Sequence, residues 1–302
     1  MTPITLDGVT KRYGQTTALR DLSFPVAPGE MFGLIGPDGA GKTTTIRLIC
    51  GLLKADAGAV RGLGLDPVRE HRRLTDSAGY LSQRFSLYGD LSVDENIAFF
   101  AEIHGLSDYR VRRDRLLEMT QLGPFRSRLA DRLSGGMKQK LALACTLVHE
   151  PSLIVLDEPT TGVDPISRRE FWKLLSEFLA HGMTIVMATP YLDEAERCGR
   201  VALLHEGRLL ALDRPDALRA TLSGVLLEVI VTNHHRASAI LRQIPGVTEV
   251  QMFGERAHVR MNDAADTLAA RATEAGLDVT SVRPIATSLE DVFIARLHEA
   301  IP

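Results

Sequence analysis

The chain has 302 residues, 45% of them hydrophobic, and a formal net charge of −3. A length of this order buries one large core plus a smaller one, and the near-neutral charge excludes the broad basic field that nucleic-acid binding needs, so no nucleic-acid partner is expected. The three cysteines, Cys50, Cys145 and Cys198, lack C-x-x-C spacing and read as buried, reduced thiols of a cytosolic protein.

The N-terminus Met-Thr-Pro-Ile-Thr-Leu-Asp has no basic region followed by an apolar one, so no signal peptide is expected. No window offers the roughly eighteen uncharged apolar residues of a membrane span, and any work at a membrane is expected to run through partners. Ile4 to Val9 and Ala18 to Val26 read as strands joined through the turn Lys11-Arg-Tyr-Gly14. Tyr13 there is either a base-stacking aromatic or an amphipathic turn residue. Glu30-Met-Phe-Gly-Leu-Ile35 is a short apolar strand leading into Gly36-Pro-Asp-Gly-Ala-Gly-Lys-Thr-Thr44, which satisfies G-x-x-x-x-G-K-[ST]. In that pattern the backbone N–H groups of Gly36, Asp38, Gly39, Ala40, Gly41 and Thr44 cradle phosphates, Lys42 reaches the outer ones, and the Thr43 hydroxyl holds Mg²⁺. The following helix, Lys42 to Cys50, points its free N–H groups and positive end at the anion.

After a Gly-rich stretch from Gly58 to Gly64, Tyr80-Leu-Ser-Gln83 ends another short strand, and Gln83 leaves it toward the phosphate side. From Arg84 the pattern turns helical. Ser92-Val-Asp-Glu95 is a capping box, an amphipathic helix spans roughly Asp108 to Met119, and Ser134 caps an apolar helix at Leu133-Ser-Gly-Gly-Met-Lys-Gln139, exposing a second set of N–H groups at Gly135 and Gly136. Leu153-Ile-Val-Leu-Asp157-Glu158-Pro159 is a buried, parallel-type strand ending in two carboxylates. Asp157 is placed to hold Mg²⁺ and Glu158 to orient an attacking water. Gly162-Val-Asp164-Pro165 opens a helix to about His181, Met183 to Ala188 forms a strand, and strands Val201 to His205 and Arg208 to Leu212 with a helix from Pro215 to Thr221 close the large domain.

Taken in order, the phosphate loop, Gln83, Leu133-Ser-Gly-Gly-Met, Asp157-Glu158 and Asp164 resemble the nucleotide-binding subunit of ATP-binding cassette (ABC) transporters over residues 4 to about 218. The resemblance implies an α/β fold: a P-loop NTPase cassette with a mixed sheet core and a helical signature subdomain at about 84–150. It implies ATP and Mg²⁺ as ligands, ATPase activity, and a homo- or heterodimer in which ATP lies between one subunit's phosphate loop and the other's Ser134, Gly135, Gly136 and Asp164. By the same carry-over Tyr13 stacks on adenine, Gln83 senses Mg²⁺ and the attacking water, and Glu158 is the general base. The family carries a histidine after the strand Met183 to Ala188; this chain has Thr189-Pro190 there.

Residues 222–302 read β-α-β-β-α-β, the ferredoxin-like order, giving a small α+β domain after a cassette spanning 1–221. The three histidines here, His234, His235 and His258, read as surface or strand residues, with no metal implied. The tail Ser288-Leu-Glu-Asp-Val-Phe293 resembles that of cassettes serving ABC-2 type bacterial exporters of drugs, ions or polysaccharide. The resemblance therefore implies integral membrane permease partners and a place in the cytoplasm on the inner face of the cell membrane. Two alternatives stay open: a hydrolysis-impaired partner cassette in a heterodimer, with Pro190 in the histidine's place, and a soluble ATPase acting on ribosomes or DNA.

Overall fold

A computed structural model of the chain describes residues 2–83, 87–232, 234–262 and 265–300. It divides into two compact units, residues 1–215 and 216–302, a division earlier in the chain than the Leu222 expected from sequence.

The first unit opens with β1 (Ile4–Tyr13) and β2 (Thr16–Val26), an antiparallel pair. β1 runs further than its apolar alternation suggested, so Tyr13 ends a strand, paired with Thr16, rather than lying in a turn. β3 (Met31–Ile35) is buried at every position and leads through the phosphate loop into α1 (Lys42–Ile49). β4 (Ala57–Gly62) pairs with β1, and α2 (His71–Thr75) follows. Neither was expected, because β4 is an edge strand with mostly exposed residues and no alternation, and α2 is barely more than a turn. β5 (Ala78–Leu81) returns to the core.

Three longer helices come next: α3 (Val93–Ile103), α4 (Arg110–Thr120) and α5 (Gly135–Leu147). The capping box forms as expected, with Ser92 Oγ accepting from Glu95 N (3.3 Å) and Glu95 Oε2 accepting from Ser92 N (2.8 Å). α4 departs from the amphipathic expectation: it buries Leu116, Leu117 and Thr120 in its second half only, while its arginine-rich start is held by ion pairs such as Arg113 with Asp94 (3.5 Å). The core then continues with β6 (Leu153–Asp157), α6 (Pro165–Ala180), β7 (Thr184–Thr189), α7 (Leu192–Ala195), β8 (Arg200–His205) and β9 (Arg208–Asp213), and the division falls at the start of α8 (Pro215–Ala220).

β2-β1-β4 form one antiparallel sheet and β5-β6-β7-β3-β8-β9 a second, parallel except for its last pair. β6 and β7, like β3, are buried throughout, as strands covered on both faces must be. One apolar cluster joins Leu6, Leu22 and Phe24 of the first sheet, Ile46 and Ile49 of α1, and Leu34, Val155 and Ala202 of the second. α1 is thus fixed between the two sheets, which sets its N-terminus at the carboxyl ends of β3 and β6, where ligands of open α/β sheets bind.

The second unit contains β10 (Val225–Val231), α9 (His234–Leu241), β11 (Val247–Phe253), β12 (Arg256–Met261), α10 (Ala265–Glu274), β13 (Val279–Pro284) and α11 (Leu289–Ala300). Its antiparallel sheet has the order β11-β12-β10-β13, the ferredoxin-like arrangement, over a core of Leu227, Val229, Leu241, Val259 and Leu268. His258 is paired in β12 as a strand residue; the side chains of His234 and His235 lie outside the described residues. Across the described residues no cluster of potential metal ligands occurs, and no helix is long and apolar enough to cross a membrane.

Candidate functional site

The phosphate loop takes its shape from the strand that feeds it and the helix that leaves it. Gly41, at φ +101°, turns the chain into α1; a side chain there would meet Leu19 at 2.6 Å and the Ala18 carbonyl at 2.9 Å, so only glycine fits. Lys42 is 4% exposed, and the loop wraps around it: Nζ donates to the carbonyl oxygens of Gly36 (2.8 Å) and Pro37 (3.0 Å). The first N–H groups of α1 have no acceptor within the helix by geometry, so their positive end faces the loop.

β6 delivers two carboxylates to the same place. Asp157 is 1% exposed and accepts from the Thr43 hydroxyl at 3.0 Å. Burial pushes its carboxyl above the usual range, with the neighbouring charge of Glu158 adding to the effect and the Thr43 hydrogen bond opposing it. Glu158 stands at φ +50°, in the left-handed region that a non-glycine residue rarely adopts. Its N–H donates to the Ala188 carbonyl (2.9 Å). Its Oε1 lies 3.6 Å from Lys42 Nζ, and its Oε2 accepts from Gln83 Nε2 (2.9 Å) and Thr161 Oγ1 (3.2 Å). Gln83, placed by the end of β5, therefore meets Glu158; among the described residues it makes no hydrogen bond to Thr43 or Asp157.

Tyr13, Ala18, Asp38, Gly39, Ala40, Gly41, Lys42, Thr43, Thr44, Gln83 and Glu158 line one open cavity of about 480 Å³. Tyr13 is 46% exposed at its rim, with the Lys11 ammonium 5.7 Å from the ring centre. Thr43, which lines the cavity, and Asp157, bonded to it, present an all-oxygen pair, the donor type that hard divalent cations such as Mg²⁺ take.

The remaining expected residues come together elsewhere, and none of them lines that cavity. Ser134 caps α5, its hydroxyl accepting from Met137 N at 3.3 Å. Ser134 and Gly135 are exposed while Gly136 is buried: a side chain on Gly136 would fall 2.1 Å from Ser167 Oγ, so α5 and α6 meet here through a glycine. Asp164 caps α6, its Oδ1 accepting from Ile166 N (3.1 Å) and Ser167 N (3.0 Å), and these hydrogen bonds hold its carboxyl below the usual range.

At the end of β7, Pro190 offers neither side chain donor nor N–H. The hydroxyl of buried Thr189 is already engaged, donating to Glu194 Oε2 (2.6 Å) and accepting from Tyr191 N (3.1 Å). Sequence reasoning missed Thr161 as a partner of Glu158, and it missed that Glu194 is buried with partners in three segments. A loop threonine and one acid in an acid-rich helix carry no periodic signal.

The profile of the ABC transporter family matches residues 19–161. The chain is 41% identical over 305 aligned residues to the probable multidrug ABC transporter ATP-binding protein YbhF of Escherichia coli (strain K12), a match covering 98% of this chain and 52% of that protein, so it spans about half the length of that relative. With the Nod factor export ATP-binding protein I of Paraburkholderia xenovorans (strain LB400) it shares 39% identity over 96% of this chain and 95% of the other. The solved dimeric structure of a bacterial ABC transporter cassette superposes with a TM-score of 0.63 at 27% identity, over 70% of this chain and 98% of that one. With a phosphate loop, a threonine–aspartate pair and an acid at the end of the adjoining strand arranged around one cavity, and with relatives of this similarity over nearly its whole length, the chain belongs to the ABC transporter family as one of its ATP-binding cassettes.

Proposed function

We propose that this chain is the ATPase subunit of an ABC-2 type exporter, working in the cytoplasm on the inner face of the cell membrane beside integral membrane permease subunits. The observation that carries the reading is the separation of the site into two parts within one chain: the phosphate loop and Glu158 on one cavity, with Asp157 bonded to Thr43 of that loop, and Ser134, Gly135, Gly136 and Asp164 outside it. Two cassettes, in a homo- or heterodimer, supply each other's missing half, and ATP is the ligand between them. The relatives named for multidrug and Nod factor export support export as the direction, and in this reading the cargo is a drug, an ion or a polysaccharide.

In this reading Lys42 and the N–H groups of Gly39 to Thr44 neutralise phosphate charge, and Tyr13 stacks on the base. Thr43 and Asp157, with Gln83 as a further donor, are the residues that would hold Mg²⁺, which would supply neutralisation of the charge that develops on the phosphate oxygens. Glu158 accepts a proton from the water whose oxygen attacks the terminal phosphorus, as the bond to the leaving ADP oxygen breaks. For Glu158 to do this, its carboxylate exchanges the Lys42 contact for the water while Gln83 and Thr161 keep it aimed.

Pro190 favours a second reading, a slow or hydrolysis-impaired cassette paired with a competent one, because it removes a donor and Thr189 has none to spare. One preorganised donor is worth on the order of 10²-fold in rate. Turnover of the full chain, of Glu158→Gln and of Pro190→His separates the two. The ATPase reading expects measurable turnover that Glu158→Gln abolishes without loss of ATP binding. Pro190→His is expected to raise turnover with ATP affinity little changed. Unchanged turnover in Glu158→Gln removes the base assignment, while activity that appears only on adding a second, different cassette establishes the heterodimer.

A further inference from the structure

One buried carboxylate touches elements of both halves of the site and has no part in the mechanism above. Glu194, in α7, is 1% exposed. Its Oε1 accepts from Thr160 Oγ1 and from Arg168 Nε (2.8 Å), and its Oε2 accepts from Thr189 Oγ1 (2.6 Å). Arg168 is braced in turn by the Tyr191 ring, whose centre lies 4.5 Å from the guanidinium carbon. A carboxylate so far from water is retained only where charge and hydrogen bonds meet it on all sides, and here the donors come from three separate segments.

Those segments are the ones that a two-part site has to keep in register. Thr160 lies two residues after Glu158, in the same turn. Arg168 lies in the first turn of α6, beside Ser167, against which Gly136 packs, and its N–H bonds back to the Asp164 carbonyl at 2.9 Å. Thr189 closes β7 directly before Pro190. Glu158 itself sits in a strained backbone conformation, which persists only where the surroundings over-determine it. Backbone bonds hold the turn, among them Glu158 N to Ala188 O (2.9 Å), Thr161 N to Glu158 O (3.2 Å) and Val163 N to Thr160 O (3.1 Å), and the grip of Glu194 on Thr160 is a side-chain restraint added to them. Because a single oxygen accepts from both Thr160 and Arg168, a displacement of the α6 N-terminus reaches the turn that aims the base without passing through the phosphate loop.

We propose that Glu194 is a positioning residue that ties the Asp164 and Gly136 half of the site to the base-bearing turn of Glu158; this rests on the ATPase reading above. The test uses the full chain and reads steady-state turnover, ATP affinity and amide hydrogen exchange for Glu194→Ala, Glu194→Gln, Thr160→Val and the Glu194→Ala/Thr160→Val pair. Misaiming the base by about an ångström costs on the order of 10²-fold, so Glu194→Ala is expected to lower kcat by that order and to leave ATP affinity at the wild-type value. Adding Thr160→Val then costs little more, since both changes remove one restraint. Glu194→Gln keeps one oxygen that can accept from Thr160 and Arg168 in place of Oε1, while its amide N–H faces the Thr189 hydroxyl oxygen, and it recovers most of kcat. In exchange, the N–H groups of Glu158 and Thr161 lose protection in Glu194→Ala while those of α1 do not, and this decides the matter where turnover is slow. Should Glu194→Ala fail to fold, Thr160→Val carries the same expectations. Wild-type kcat with unchanged protection of Glu158 and Thr161 overturns the tie, as do fully additive losses in the paired variant. If Glu158→Gln leaves turnover intact, the ATPase reading itself falls; if Glu158→Gln is dead while Glu194→Ala is as fast as wild type, only the tie falls.

Discussion

Around Lys42 the chain concentrates what folding disfavours, and around Ser134 it uses only what helices do anyway. The first region buries the Lys42 ammonium and the Asp157 carboxylate, sets the half-buried Glu158 carboxylate 3.6 Å from that ammonium, and holds Glu158 at positive φ. The second has a serine cap, an aspartate cap and a glycine contact between two helices, all of which stabilise their own elements. A site that holds charge on demand is built with poised charges and strain, whereas a site that only donates N–H groups to a partner's ligand needs exposed helix ends in the right place. The cost of function therefore falls on one side, and substitutions on the two sides should separate binding from turnover.

The largest separation is expected at Lys42. Lys42→Ala removes a charge-assisted contact worth about 3 kcal/mol, so nucleotide affinity should fall on the order of 10²-fold, as read by equilibrium titration. Affinity within error of wild type would show that the helix end and loop N–H groups suffice by themselves. Next comes Gly136→Ala, which drives a methyl group into Ser167 and displaces the ends of α5 and α6. Turnover should drop about tenfold with single-chain ATP affinity intact, a loss of the kind a misplaced site produces. Ser167→Gly in the same chain should restore it, and failure of that rescue would move the cause away from the helix contact.

Asp157→Asn is expected to act in opposite directions on stability and activity. Folding raises the carboxyl pKa of Asp157, so its ionisation costs stability; the cost is absent at pH below the ordinary carboxylate range and fully present once pH exceeds the raised value. At neutral pH the variant should melt higher than wild type and lose Mg²⁺-dependent turnover, and the gain in melting temperature should vanish on acidification. A lower melting temperature at neutral pH would mean that the Thr43 hydrogen bond outweighs the burial of charge. The smallest effect is expected from deleting residues 222–302, which make up most of the second unit (216–302) and hold its apolar core but no phosphate loop. The remaining cassette should bind ATP with wild-type affinity, and loss of binding would place part of the nucleotide site's support in the second unit.

What could be read from the sequence was whatever has a local code. The phosphate loop, the capping boxes at Ser92 and the cap at Ser134, the continuous apolar runs of β3 and β6, and the β-α-β-β-α-β order of the second unit all depend on residues close together in the chain. The edge strand β4 was not legible, because its pairing with β1 is specified by the partner strand and not by its own pattern. Tyr13 was misplaced into a turn for the same reason: Thr16 and Thr17 across the strand keep the polar end of β1 extended. α4 was read as amphipathic, yet ion pairs of its own Arg113 with Asp94 and of its own Asp114 with Arg126, rather than an apolar stripe, hold its first half.

Residue type and spacing alone determined that this chain carries a phosphate-loop motif, a threonine hydroxyl at its end and a carboxylate pair at a strand end, since the backbone geometry of a Gly-rich turn entering a helix is fixed within a few residues. Only the tertiary structure decided that Glu158 is shared among Lys42, Gln83 and Thr161, that Ser134 and Asp164 stand apart from the cavity, and that Thr189 is spent on Glu194. The Gln83 contact spans 75 residues and the Lys42 contact more than a hundred, and even the short-range Thr161 and Thr189 contacts depend on which strands lie side by side and which helix is caught between two sheets. Such pairings are chosen by the burial of whole faces, and no single stretch of sequence encodes them.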